Sequence, residues 1–187
     1  MSNLKGNIIV GGKKVEGERK KDDFYPTPPN ATKALFDREK FDGGIWECAC
    51  GKGHMSEVIK EYGYDVISSD LIDRGYGKVG VDFLTIEPKR KVGNIVTNPP
   101  FKFAQEFVEK ALEVSEGKVA MLFKLAFLEG AKRNKMFNRT PLRRVYVFSK
   151  RLNFDFETRE KSSPLMAFAW FVWEQGYEGK PEIEWIL

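Results

Sequence analysis

The sequence predicts an α/β fold of the doubly wound, Rossmann-like kind, a mixed sheet with helices on both faces. Three stretches carry that reading. Gly44 to Cys50 is a largely apolar run that ends in Gly51-Lys52-Gly53 and opens a helical pattern. Strand, glycine turn and helix in that order is the nucleotide-binding opening of such folds. Asp65 to Ser69 reads as a second strand, and Asp70 closes it about twenty residues past the glycine turn, where an acid can accept ribose hydroxyls. Val92 to Thr97 is a short buried strand that must stop at Asn98-Pro99-Pro100-Phe101, because two prolines cannot continue a ladder.

The remaining elements follow from periodicity. Residues 1–21 are polar, Gly-rich and basic, and are expected to form a flexible arm before a single domain at 22–187. Three prolines forbid a regular element in Phe24-Tyr25-Pro26-Thr27-Pro28-Pro29. Thr27 or Asn30 is then placed to cap a short helix from Ala31 to Phe36. A helix through Met55, Val58, Ile59 and Tyr62 follows the glycine turn. Ser56 stands where the full G-x-G-x-x-G fingerprint has its third glycine, so this motif is weak taken singly. Lys78 to Phe83 is a third short strand or a turn. Lys102 to Val114 is helical, with Phe103, Phe107, Val108, Ala111 and Leu112 on one face. Lys118 to Phe123 is a strand, Leu128 to Phe137 a helix and Arg144 to Phe148 a strand. Ser163 to Trp173 holds a long apolar strand and Ile183 to Ile186 a last one; their short turns suggest an antiparallel hairpin.

Composition bounds the function. A chain of 187 residues with 42% hydrophobic and 31% charged residues is an ordinary soluble domain with room for a full core. No apolar run approaches a membrane span and no signal-peptide core is present, so a cytoplasmic protein without membrane contact is expected. Cys48 and Cys50 form neither a disulfide framework nor a zinc pattern. His54 is the single histidine, so no metal site is expected; it reads as a residue of the first helical turn. The net charge of +4 permits an anionic partner without demanding one.

The Asn98 turn has a chemical use. An exocyclic amino group on a nucleobase is a poor nucleophile, because its lone pair is delocalised into the ring. The Asn98 side-chain oxygen and the Pro99 carbonyl, accepting from its hydrogens, would favour a tetrahedral nitrogen and absorb positive charge during attack. Phe101 offers a flat face to a base taken out of its stack. Taken alone, Asn-Pro-Pro is equally a plain turn.

With these pieces in order, the sequence resembles the class I S-adenosylmethionine-dependent methyltransferases. It is similar in particular to the small, bacteriophage-type DNA adenine-N6 methyltransferases, over about residues 22 to 175. The resemblance implies a seven-stranded sheet, methyl transfer to DNA adenine without metal or covalent intermediate, and double-stranded DNA as partner. It implies a cofactor site of Tyr25, Thr27, Glu47, Ala49, Gly51, Gly53, Asp70, Leu71, Asp82 and Phe83. Asn98, Pro99, Pro100 and Phe101 match the catalytic motif, and Arg151-Leu152-Asn153-Phe154 resembles the segment beside the target base. The motif is shared with ribosomal RNA methyltransferases and, with tyrosine, with enzymes that methylate protein glutamine; a non-catalytic cofactor-binding module is a further alternative. No stretch is long enough for a separate target-recognition domain. Basic residues between 124 and 161 suggest a phosphate track, in which Lys124, Arg143, Arg144, Arg151 and Asn153 would bind substrate.

Overall fold

The structure, a computed structural model, describes residues 24–87, 91–157 and 166–187. The expected arm at 1–21 lies outside the described residues, as does the first part of the apolar run from Ser163. The strands are β1 (Ile45–Glu47), β2 (Val66–Ser68), β3 (Asn94–Thr97), β4 (Lys118–Lys124), β5 (Leu142–Phe148), β6 (Phe168–Glu174) and β7 (Glu182–Ile186). The α-helices are α1 (Pro29–Phe36), α2 (His54–Glu61), α3 (Ala104–Val114) and α4 (Ala131–Phe137). All seven strands form one sheet, ordered β2-β1-β3-β4-β6-β5-β7, in which β6 alone runs antiparallel to its neighbours.

Both faces of this sheet are covered, which is why its central strands are apolar throughout rather than alternating. Val119, Met121 and Phe123 of β4 point to one side, where they join Phe107, Val108 and Ala111 of α3 and Met136 of α4. Ala120 and Leu122 point to the other, against Ala31 and Leu35 of α1 and Met55 and Ile59 of α2. Strand β6 divides in the same way, Phe171 and Trp173 to the first side, Trp170 and Val172 to the second. The pleat thus builds two cores from one strand.

Several boundaries differ from expectation for local reasons. Lys78 to Phe83 forms no strand beyond a single bridge between Ser69 and Lys78. Gly80 within the stretch and Gly77 just before it have left-handed φ, 73° and 68°, which an extended ladder cannot accommodate. The sheet still reaches seven strands, because β7 adds at the far edge. That strand does not pair with β6 as a hairpin; it lies parallel to β5. Helix α4 starts only after Gly130, at φ 107°. The first turn of the helix expected from Lys102 is a 3-10 turn, Phe101–Phe103, so Phe103 leaves the buried face and Val114 joins it. Helix α1 begins at Pro29 with no side-chain cap: neither Thr27 nor Asn30 plays that part.

Candidate active site

Strand order reverses about β1, with β2 on one side and β3 on the other. In open α/β sheets the crevice outside the carboxyl ends at such a point is the ligand site. A cavity of about 320 Å³ lies there. Tyr25, Thr27, Glu47, Ala49, Gly51, Asp70, Leu71, Asp82, Phe83, Asn98 and Pro100 line it, so most of the residues expected to hold a cofactor converge on one space. Gly53, Pro99 and Phe101 stand beside it rather than on its wall.

The glycine turn is built from its own packing. Gly51 and Gly53 have φ of 55° and 84°. A Cβ on Gly51 would fall 2.4 Å from the Phe24 ring, and one on Gly53 2.5 Å from the Tyr76 ring. Aromatic rings fill the space beside both, so neither position has room for a side chain, and the Gly51 backbone lines the cavity. The Gly51 N–H donates to Asp70 Oδ2 at 2.8 Å, and the Ile72 N–H to Oδ1 at 2.9 Å. Asp70 thus ties the end of β2 to the turn after β1, and each oxygen retains a second lone pair.

Glu47 is wholly enclosed. Its carboxyl meets the Ser56 hydroxyl, which lies 2.6 Å from Ser68 Oγ. Burial pushes its pKa up to about 8; the Ser56 hydrogen bond opposes that and the charge of Asp70 adds to it. The folded state therefore binds a proton that the unfolded chain releases near 4.5, so stability from this group is complete below that pH and lost as pH rises through about 8. Glu47→Gln is expected to flatten the decline in Tm across roughly pH 5 to 8, read by thermal unfolding at a series of pH values.

At the end of β3, the Asn98 amide nitrogen donates to the Tyr25 carbonyl at 3.2 Å and to Thr27 Oγ1 at 3.0 Å. Asn98 Oδ1 is buried and has no hydrogen-bond partner among the described residues. Phe101 stacks on Tyr25 with centroids 5.9 Å apart and tilts against Phe168 at 5.8 Å. The Lys124 ammonium stands 5.0 Å from the Phe101 ring centre. Phe154, in the segment after β5, packs edge-on to Tyr25 at 6.1 Å.

Further residues of that segment meet the glycine turn. Glu157 pairs with Lys52 at 3.0 Å and lies 3.4 Å from His54 Nε2. His54 does open α2, as expected, and is also among the residues that line the cavity. Asn153 accepts from the Asp155 N–H at 2.9 Å, and Arg151 is exposed nearby. Arg74, its guanidinium 4.2 Å from the Phe24 ring centre, and Lys102 also line the cavity; neither belongs to a motif that marks it in the sequence.

Arg143 and Arg144 are elsewhere. Strand β5 runs parallel to β4, so its start lies at the sheet edge opposite the cavity. Arg143 pairs with Glu174, and Arg144 bonds Glu39 at 2.9 Å. The structure does not bring these two arginines to the site.

No protein-family model matches the chain, and no curated protein matches it in sequence. Solved structures do resemble it in shape. A candidate RNA methyltransferase from Pyrococcus horikoshii superposes with a TM-score of 0.60 at 16% identity, covering 80% of this chain and 85% of the other. The chain has the class I methyltransferase fold. Magnesium protoporphyrin IX methyltransferase from Synechocystis, with SAM bound, shares the methyltransferase fold at a TM-score of 0.56 and 11% identity, over 79% of each chain. A SAM-dependent methyltransferase from Corynebacterium glutamicum does so at 0.51 and 14%, over 76% of this chain and 85% of that one.

Proposed function

We propose that this chain transfers a methyl group from S-adenosylmethionine to the exocyclic amino group of adenine in DNA. The observation that carries the reading is Asn98 Oδ1, a buried acceptor without a partner among the described residues, at the carboxyl end of β3 beside the cavity. An unpaired buried acceptor costs about 1–3 kcal/mol, so the turn suits a ligand that brings an N–H donor. An amino group on a flat base meets that need, and Phe101 lies two residues beyond the carbonyl that would take its second hydrogen.

The cavity fits the cofactor. Its volume of about 320 Å³ lies within the range of small-molecule sites, roughly 300–1,000 Å³. Asp70 presents lone pairs for ribose hydroxyls, and Ile72, Val81, Phe83 and Leu84 supply an apolar wall for an adenine ring. When bound, S-adenosylmethionine supplies an electrophilic methyl on positively charged sulfur. The chain's own work is to hold the target nitrogen: Asn98 Oδ1 and the Pro99 carbonyl accept its hydrogens and favour tetrahedral geometry. Methyl-transfer chemistry then needs orientation and electrostatic support from fixed groups.

Calorimetry tests the cofactor assignment. S-adenosylmethionine is expected to bind the wild type, and Asp70→Ala to bind about 1–3 kcal/mol more weakly. Absence of binding to the wild type would sink the methyltransferase reading. RNA is the second substrate reading, because the same amino chemistry serves an RNA base and a structural neighbour carries that description.

The electrostatic approach to nucleic acid is assigned to Lys124 and not to the arginine pair. Lys124→Glu is expected to weaken DNA binding and to reduce the salt slope of the affinity by about 1, measured by titration at several salt concentrations. Reversing Arg143 and Arg144 is expected to disturb the fold instead, through Glu174 and Glu39.

A further inference from the structure

We propose that Tyr25 and Thr27 are positioning residues that lock the Asn98 side chain in one amide orientation, and that this lock selects asparagine over aspartate at the turn. Its kinetic consequence rests on the adenine-amino reading above; its geometry does not.

A primary amide can sit either way round, with oxygen and nitrogen exchanged. Here both amide hydrogens have acceptors, the Tyr25 carbonyl at 3.2 Å and Thr27 Oγ1 at 3.0 Å. The exchanged orientation would set Asn98 Oδ1 against the Tyr25 carbonyl oxygen, two acceptors facing each other. It would also turn an NH₂ toward the place where a substrate amino group must donate. The lock therefore decides whether the turn offers an acceptor at all.

The clamp itself is stiff. Pro26 and Pro28 flank Thr27, and Pro28 is held at φ −60° and ψ 135°. Thr27 is buried, at 6% exposure. The Tyr25 ring packs against two others, stacked on Phe101 and edge-on to Phe154. A carboxylate at position 98 would confront the Tyr25 carbonyl oxygen with a second negative oxygen. It would be tolerated there only when protonated, with the proton on the oxygen that faces Tyr25. Charge alone would make aspartate the better acceptor for a nitrogen that becomes positive; the clamp reverses that preference.

The test uses the full chain and two readouts. First, the Asn98 side-chain amide protons, identified by their loss in Asn98→Ala, are followed by NMR exchange with solvent. Slow exchange is expected in the wild type and Thr27→Ser, and exchange about tenfold faster in Thr27→Val, as for loss of one net hydrogen bond. Second, single-turnover methylation of adenine DNA is measured at saturating cofactor. Thr27→Val is expected to fall about tenfold and Thr27→Ser to remain near the wild type. Asn98→Asp is expected to gain rate as pH falls, because only its protonated form fits the clamp.

Unchanged amide exchange in Thr27→Val would overturn the lock, and so would an Asn98→Asp rate that falls with falling pH. Failure of the wild type to methylate any nucleic acid would instead overturn the proposed reaction, while the amide signal still decides the lock. If Thr27→Val does not fold, the pH profile of Asn98→Asp decides it.

Discussion

Asn98→Ala is expected to slow single-turnover methyl transfer to DNA by about a thousandfold, equivalent to roughly 3–4 kcal/mol of transition-state stabilisation. The estimate follows from loss of one preorganised hydrogen-bonding group aimed at developing charge. Asn98 is only half-buried and belongs to neither apolar core, so the truncation leaves the cores intact. Affinity for the cofactor should survive, because the Asp70 wall and the apolar wall are unchanged. Phe101→Ala should behave differently. It removes a stacking surface worth roughly 1–3 kcal/mol per base. It also removes a ring that packs against both cores, so some loss of stability should accompany it. Rapid-quench kinetics beside calorimetry separates the two variants.

The second large effect is expected far from the cavity. Glu39 is 1% exposed, and its carboxylate takes bonds from Lys118 at 2.6 Å, Tyr146 at 2.8 Å and Arg144 at 2.9 Å. Burial raises its pKa, but those bonds outweigh burial and hold the carboxyl below the usual range. Glu39→Ala takes the buried partner from Lys118, Arg144 and the Tyr146 hydroxyl, leaving the two cations only their outer carboxylates Glu174, Glu182 and Glu184, and about 3 kcal/mol of stability should go with it. That is a large part of the roughly 5–15 kcal/mol a domain possesses. Chemical denaturation reads it directly. The pH signature has a definite sign. The stability from Glu39 is present above the unfolded carboxyl value of 4.5 and is lost as pH falls through the lower folded value. Acid should therefore hurt the wild type more than Glu39→Gln, the reverse of the trend set by Glu47.

These residues divide into those whose place is set by local sequence and those whose place is set by distant pairing. The Asn98 turn was legible because proline chemistry is local: two prolines end a strand whatever surrounds them. The turn after β1 and the acid after β2 were legible for a similar reason, as short motifs at fixed offsets from apolar runs. The buried face of α3 lies later than the periodicity of the sequence implies, since a 3-10 start shifts which residues turn inward. Lys78 to Phe83 reads as strand or turn because Gly80 sits between Val79 and Val81; its left-handed φ, with that of Gly77 just before the stretch, decides it. The seat of β7 depends on pairing with β5, and nothing within five residues of chain states a partner. Arg143 and Arg144 lie away from the expected phosphate track for the same reason. A cluster of positive charge does not say which edge of a sheet it will occupy, nor that Glu39 and Glu174 will meet it. The bond between Thr27 and Asn98 spans 71 positions, so no periodicity could have announced it.

The chemical identity of the product tests the proposed reaction directly. Duplex DNA, RNA and protein are each offered with cofactor labelled at the methyl group, and the labelled material is hydrolysed to its monomers. Label is expected in DNA, on N6 of adenine, and is expected to be lost with Asn98→Ala. Label confined to RNA, to a protein side chain or to a ring atom of a base would contradict the proposed reaction, as would no transfer to any of the three.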